Sequence, residues 1–384
     1  MSDLTALTNA DIFDGAEWHR ATSLVIENGK IKTVGADVPA GARVIDVQGA
    51  LVVPGFIDLQ VNGGGGVMLN DEQTVEGLAQ ICAAHAKFGT TALLPTLITD
   101  TREITAAAIA AGKDAKAKKV PGFLGLHLEG PHLSIARKGA HDPQLIRPME
   151  QVDLERLLAL KGEFDGLMIT VAPENTTEDQ VRQLAQAGFT VSLGHTNTAY
   201  ETAEAYVKAG ARTATHLFNA MSPLENRTPG LVGTVLNVGS LYAGIIADGF
   251  HVHPASMSIA LRAKQGSGKI FIVSDAMSTI GTDLTGFMLN GRQIYRKDGR
   301  LTLADGTLAG ADIDMLSSVR FVHEKIGLPF EEALRMASLY PAEAIGVADR
   351  KGLLKPGFDA DFVVLGRDHA MKSTWIGGDQ VFSA

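Results

Sequence analysis

LHLEGPHLSIARKGAHDP, residues 126–143, opens as an alternating apolar run. His127 and Glu129 stand two apart in it, so they share one face of a strand. The run stops at Gly130-Pro131, where proline removes a backbone donor and a turn follows. The loop beyond carries Arg137, Lys138, His141 and Asp142. A carboxylate at the end of a buried strand, followed by a loop of titratable groups, is how barrel enzymes build catalytic sites. An ordinary strand end with a solvated loop has the same local look. The choice therefore rests on what the chain does on either side.

On both sides it alternates short apolar strands with helices. Strands are expected near 55–61, 91–97, 123–129, 167–171, 190–194, 213–216, 242–247 and 270–275, with helical patterns at 73–88, 101–118, 149–161, 177–188 and 199–209. Eight such units over residues 54–346 suit a (β/α)8 barrel, for which ~250 residues is typical. A doubly wound sheet would need a G-x-G-x-x-G turn after its first strand, and Gly63 to Gly66 lack that spacing. The ends differ in character. LTALTNADIFDG (4–15), SLVIENGKIKTVG (23–35) and ARVIDVQGALVVPG (42–55) read as strands and turns, and Asn28-Gly29 is a hairpin signal. GLLKPGFDADFVVLG (352–366) and TWIGGDQVF (374–382) repeat the pattern. The expected fold is thus α/β: a TIM-type (β/α)8 barrel, with a small β-sandwich domain formed by residues 1–53 and 347–384.

Composition narrows the function. The chain has 384 residues, 45% of them hydrophobic and 20% charged, as a soluble globular protein has. A net charge of −9, with no basic cluster beyond AKAKK at 115–119, argues against nucleic acid. No signal peptide is read in MSDLTALTNADIFDG, and no apolar run approaches the ~20 residues of a membrane span. The single cysteine, Cys82, lies in an apolar helical pattern and fits an inert buried thiol in a reducing cytoplasm.

The chemistry collects at strand ends. GFIDLQVNGGGG (55–66) puts Asp58, Gln60 and Asn62 on one face, before glycines that permit close approach. Barrel metallohydrolases commonly carry His-x-His here. Gln60 and Asn62 are weaker ligands, so one metal position is expected to be empty. The third strand supplies Glu129, the fifth (FTVSLGHTN) His195 and the sixth (RTATHLFNAMSP) His216. A lone histidine after a strand is more often structural. Two histidines and a carboxylate at matching strand ends, however, are the ligand set of a catalytic zinc with one position left for water. The eighth strand, KIFIVSDAMS, ends in Asp275. Asp275 either caps a following helix or accepts a proton from water activated by the metal; its place in the set favours the second role. His141, Asn219, Ala220, Arg227, His251 and Leu308-Ala309-Gly310 are candidates to hold substrate, Arg227 through a planar fork suited to phosphate. His127 reads as a satisfied inward-facing residue and His132 stays open. His19, His85, His253, His323 and His369 receive no role.

Together PGFIDLQVNGGGG, HLEGPHLS, KGAHDP, LGHTNTAY, THLFNAMSP, ADGFHVHP, VSDAM and GTLAG resemble the N-acetylglucosamine-6-phosphate deacetylases of the amidohydrolase superfamily. The resemblance runs through nearly the whole chain. It implies that Glu129, His195 and His216 bind one divalent metal ion per subunit, usually zinc, and that Asp275 is general base and acid. It implies that Ala140 and His141 contact substrate, His141 polarising the acetamide carbonyl. Asn219, Ala220, Arg227 and His251 would meet sugar and phosphate, with Leu308, Ala309 and Gly310 lining the pocket. In that family the phosphate-binding Arg and His can come from across a homodimer interface. The implied reaction converts N-acetylglucosamine 6-phosphate to glucosamine 6-phosphate and acetate, in amino-sugar catabolism or cell-wall sugar recycling. N-acetylgalactosamine 6-phosphate is the alternative substrate. A non-catalytic barrel would be expected to have lost ligands, whereas all four residues are present. Where the family commonly continues GTLAG with serine and a later threonine, this chain reads Ala311-Asp312-Ile313-Asp314, which alters the pocket's fine shape.

Overall fold

In the computed structural model, which describes residues 4–35 and 37–384, the strand ending in Glu129 is the third of eight parallel strands in one sheet. In chain order these are β1 (Phe56–Val61), β2 (Thr90–Ile98), β3 (Gly125–Glu129), β4 (Gly166–Val171), β5 (Thr190–Leu193), β6 (Thr213–Ala214), β7 (Tyr242–Ile246) and β8 (Ile270–Val273). Each pairs with the next, and the chain just past β8 returns to β1 through Asp275 N–H to Gln60 O (3.0 Å) and Asn62 N–H to Ala276 O (2.8 Å). The eight expected strands are therefore these eight, nearly closed into a barrel.

Alternation along each strand separates two environments. On β3, Leu126 and Leu128 join the apolar cluster that includes Ala108 and Ala111 of the helix after β2. His127 and Glu129 face inward, where His127 bonds Thr170 Oγ1 (2.7 Å) and lies 3.3 Å from Thr96 Oγ1. Burial pushes the His127 ring down to about 4, so it stays neutral and structural. Helices α1 (Val75–Ala86), α2 (Arg102–Ala117), α3 (Gln151–Leu158), α4 (Glu178–Gln186) and α5 (Tyr200–Ala209) lie where periodicity expects them. Thr74, Thr101 and Thr177 cap three of them by accepting from a backbone N–H. Helices α6 (Gly230–Asn237), α7 (Pro254–Ala263) and α8 (Met315–Phe321) follow, and the helices Phe330–Ala337 and Leu339–Ile345 pack against β8 and β1 where the barrel closes. Cys82 is buried in α1, and burial raises its thiol to about 12, as befits an inert side chain.

Both ends of the chain build a second sheet, in the order 379–383, 371–376, 362–365, 51–54, 4–13, 18–27, 30–34. It is mostly antiparallel, with 4–13 parallel to 43–46 and 51–54. The sandwich is one hydrogen-bonded sheet folded over a common core: strand 30–34 meets the segment leading into 362–365 through Ile31 N–H to Phe358 O (2.9 Å) and Gly357 N–H to Ile31 O (2.8 Å). Phe362 and Trp375 stack inside it at 5.3 Å, packed with Leu7, Leu24 and Ile31. Asn28 and Gly29 both take positive φ, 52° and 76°, the conformation that tight hairpin turns require. The first three residues of the expected 1–53 segment lie outside those described. Among the described residues no helix is long and apolar enough to cross a membrane.

A third sheet is absent from the sequence reading. Four antiparallel strands, 286–289, 292–297, 300–302 and 308–311, lie between β8 and α8. Their signal was present: Asn290-Gly291 and Asp298-Gly299 are hairpin dipeptides, and all four residues take positive φ.

Candidate active site

Glu129, His195, His216 and Asp275 sit at or just past the C-terminal ends of barrel strands, where such folds place catalysis, and His141 lies in the loop after β3. Glu129 ends β3; His195 follows β5, His216 follows β6, and Asp275 follows β8. The backbone is strained at three of them, with positive φ of 47° at His195, 29° at His216 and 52° at Asp275. Such conformations cost about 1–3 kcal/mol each and persist where the surroundings impose them, often at functional sites. Asp275 leads into loop rather than helix, so its capping alternative falls away.

The side chains converge. Glu129 Oε1 is 3.2 Å from His195 Nε2 and 3.2 Å from His216 Nε2, and the two Nε2 atoms are 3.0 Å apart. Ligands about 2.0–2.1 Å from a tetrahedral zinc lie roughly 3.3 Å from one another. The triangle thus has the size to hold one divalent ion. Hydrogen bonds sort the histidines further. His195 Nδ1 lies 2.8 Å from the Arg137 carbonyl. A carbonyl only accepts, so the proton is on Nδ1 and Nε2 presents a lone pair, as a metal ligand must. His141 is the reverse: its Nδ1 accepts from the Thr99 backbone N–H at 3.3 Å. Its Nε2, 4.0 Å from Glu129 Oε2, therefore carries the proton in this arrangement, although His141 also stands close enough to Glu129 and His195 to join them around a metal. Burial, reinforced by His195, pushes His141 down to about 3, which keeps that donor neutral.

The two carboxylates are driven apart. Burial opposes ionisation of Glu129, but its short polar contacts with His195 and His216 outweigh it and hold the group well below the usual range. Burial, with repulsion from Glu129, raises Asp275. Divergent pairs of this kind mark an anion that stays charged and a group that exchanges protons. Gln60 joins them, its Nε2 donating to Glu129 Oε1 (3.2 Å) and Asp275 Oδ1 (3.0 Å), and Asn62 Nδ2 donates to the same Asp275 oxygen at 2.7 Å. The two residues standing where His-x-His might have been thus hold Asp275 in place.

Asn62, Glu129, His195, His216 and Asp275 line one cavity of about 170 Å³ that also touches Ala140, His141, Asn219, Ala220, His251, Leu308 and Gly310. Two of the expected contacts fall elsewhere. Ala309 is fully buried in an apolar cluster with Met68, Ile98 and Met277, because it alternates with Leu308 and Gly310 along its strand. Arg227 lies in the exposed 223–229 loop and lines a separate cleft with Arg137 and Tyr200. No lysine or arginine lines the cavity among the described residues. Sequence reading missed the groups that hold others. Asp248 accepts from His251 Nδ1 at 2.6 Å and from the Phe250 and His251 backbone N–H groups, leaving His251 Nε2 to the cavity. The Asp-x-x-His spacing was legible. Thr99 was not, because it lies 42 residues from the histidine it orients.

The sequence profile of the amidohydrolase family matches residues 51–381. This chain belongs to the amidohydrolase family. It is 41% identical to an N-acetylgalactosamine-6-phosphate deacetylase of Shewanella sp. (strain ANA-3), over 93% of this chain and 89% of that one. It is 38% identical to an N-acetylglucosamine-6-phosphate deacetylase of Haemophilus influenzae, over 97% and 98%. The crystal structure of N-acetylglucosamine-6-phosphate deacetylase from Pasteurella multocida superposes with a TM-score of 0.95 at 36% identity, covering 99% of this chain and all of that one.

This amidohydrolase uses the inserted sheet as a cover, contributing Leu289, Leu308 and Gly310 to the cavity. Gly310 has φ +70°, and a Cβ there would lie 2.5 Å from Met277 Cγ, so only glycine fits. Asp312, within the acidic departure Ala311–Asp314, pins the cover: its Oδ2 accepts from Arg296 Nε at 2.7 Å and its Oδ1 from Thr279 Oγ1 at 3.1 Å. Arg292 donates to the Ala140 carbonyl from the same sheet. Asp314 instead caps α8, accepting from Ser317 N–H. Asp312→Ala is expected to cost about 1–3 kcal/mol, the lower end because Arg296 is partly solvated. The readout is a lower denaturant midpoint at unchanged slope. Asp312→Asn, which keeps an acceptor, should lose only part of that.

Proposed function

We propose that this chain hydrolyses the N-acetyl group of N-acetylglucosamine 6-phosphate, giving glucosamine 6-phosphate and acetate. The observation that carries the reading is one Glu–His–His triangle with Asp275 tied to it through Gln60. Zinc is the proposed ion, held by Glu129, His195 and His216. When bound it supplies Lewis acidity, polarising the amide carbonyl and bringing the pKa of water to ~7. Asp275 takes the proton of the attacking water and passes it to the amide nitrogen as the C–N bond breaks. His141 Nε2–H donates to the carbonyl oxygen as negative charge develops there. Gln60 and Asn62 keep Asp275 aimed and do not exchange protons themselves.

Asn219, Ala220 and His251 are proposed to meet the sugar phosphate, and Leu308 and Gly310 to form the wall, with Ala309 packed behind them. A homodimer, in which Arg227 of a second copy supplies the guanidinium that the cavity's own lining lacks, belongs to the same reading. So does a cytoplasmic location, which a single buried thiol and a phosphorylated substrate both suit. The division at residues 53/54 and 346/347 is part of the same proposal, supported by an apolar cluster shared by residues 7–52 and 354–375.

The test is acetate release by zinc-loaded protein from N-acetylglucosamine 6-phosphate and from the unphosphorylated sugar. Chelator-sensitive release from the phosphosugar, with at least about a hundredfold lower kcat/KM on the free sugar, is expected if charged contacts worth ~3 kcal/mol meet the phosphate. Equal rates on both sugars would defeat the phosphate assignment. The similarity to the Shewanella enzyme favours a second reading, the galacto epimer as substrate, and kcat/KM on the two epimers decides between them.

A further inference from the structure

A larger opening lies on the outside of the barrel, away from the catalytic cavity. It is a cleft of about 430 Å³ between α2 and α3, within the ~300–1,000 Å³ of small-molecule sites. Its cause is legible. The helices bring small side chains, Thr105 and Ala106 from α2 and Ala159 from the end of α3, to the place where bulkier residues would meet. Its floor is formed by side chains on the outer faces of β3 and β4, Leu128 and Ile169, which are 2% and 1% exposed. A gap over close-packed apolar side chains forfeits dispersion contacts that an occupant would restore.

The rim is polar and cationic. Arg102, Arg147 and Arg156 line it with one carboxylate, Asp153, which accepts from both Arg102 and Arg147, while Arg102 also pairs with Glu150 just outside it. Arg156 is exposed and makes no ion pair among the described residues. Arg147 Nε is buried without an acceptor. His132 is 2% exposed; its Nδ1 donates to the Arg147 carbonyl at 3.1 Å, so its Nε2 offers a lone pair that no described residue uses.

We infer that this cleft is a second ligand site, for a small organic anion with an apolar body such as an aryl or alkyl sulfonate, phosphate or carboxylate. The body lies over Leu128, Ile169, Leu157 and Leu160, and the anionic head meets the guanidinium rim. The site is independent of the reaction proposed above. Its floor nonetheless belongs to the strand carrying Glu129, so an occupant touches the back of the catalytic strand.

The probe is 8-anilinonaphthalene-1-sulfonate, an aromatic sulfonate whose fluorescence rises on apolar burial, titrated into zinc-loaded protein. One saturable site is expected. Ala106→Trp fills the cleft from an exposed helix position and should abolish the signal. Arg156→Glu should raise the Kd about tenfold, a charge effect of ~1.4 kcal/mol. Both variants should keep the wild-type melting temperature and acetate release. Three results would overturn the inference: no saturable enhancement, an unchanged titration in Ala106→Trp, or equally tight binding of uncharged N-phenyl-1-naphthylamine.

Discussion

Asp275→Asn is expected to lower kcat about 10²- to 10⁴-fold, the usual contribution of a positioned proton-transfer group. The geometry predicts where the loss falls. Asparagine keeps an oxygen to accept from Asn62 and Gln60, which donate to Asp275 Oδ1 at 2.7 and 3.0 Å, so the loop need not move. Glu129, His195 and His216 are untouched, and bound zinc, measured by elemental analysis, should stay near one per chain. KM should change little, since the carboxylate is assigned to proton transfer rather than binding. The pH profile carries the sign. Burial and Glu129 raise Asp275, and its active form is the base. Wild-type turnover should therefore fall with falling pH on a limb above the ordinary aspartate range, and that limb should vanish in the variant. Turnover within about threefold of wild type would remove Asp275 from the chemistry.

Glu129→Gln should have an effect of similar size for a different reason. The carboxylate is the only anion in the triangle, and it draws positive charge onto its neighbours. Burial would lower His216, yet the hydrogen bond to Glu129 raises it. A divalent ion meets the same demand. The neutral amide removes it, so zinc affinity should fall by more than the roughly 10- to 100-fold typical of residues that only support a ligand. Turnover at fixed zinc should fall with it. Competition against a chelating dye measures the first and acetate release the second. Thermal stability provides a third check. Metal at about 1,000 times its Kd stabilises the folded state by ~4 kcal/mol. Chelation should then lower the wild-type melting temperature clearly and that of the variant hardly at all. A Gln variant that keeps one tight zinc and ordinary turnover would exclude Glu129 as a ligand.

The elements of the barrel were legible because period carries them. GLHLE-type alternation and three-to-four residue helical spacing are local, and they located the eight strands and five of the helices to within a few residues. Asn28-Gly29 gave its hairpin for the same reason. The inserted sheet escaped although Asn290-Gly291 and Asp298-Gly299 announced it. Its strands, such as Arg292–Lys297, are half-exposed and mix apolar with charged residues, so no continuous apolar run stands out. Ala309 was misplaced because a three-residue motif was taken as one surface, when neighbouring residues of a strand point to opposite faces.

By itself, then, the sequence determined which residue types end which strands: Glu129, His195, His216 and Asp275, in an order that an eightfold strand–helix alternation brings to one rim. Local pattern suffices there because a parallel barrel delivers every strand's C-terminal end to the same face. Tertiary structure alone decided what those residues are. Whether an imidazole nitrogen donates or accepts depends on a partner far away in the chain, Arg137 O for His195 and Thr99 N–H for His141. Which carboxylate stays ionised depends on who shares its burial, and that holds Glu129 low while it raises Asp275. Distances of about 3 Å between residues a hundred positions apart are properties of packing, and no periodicity in the chain encodes them.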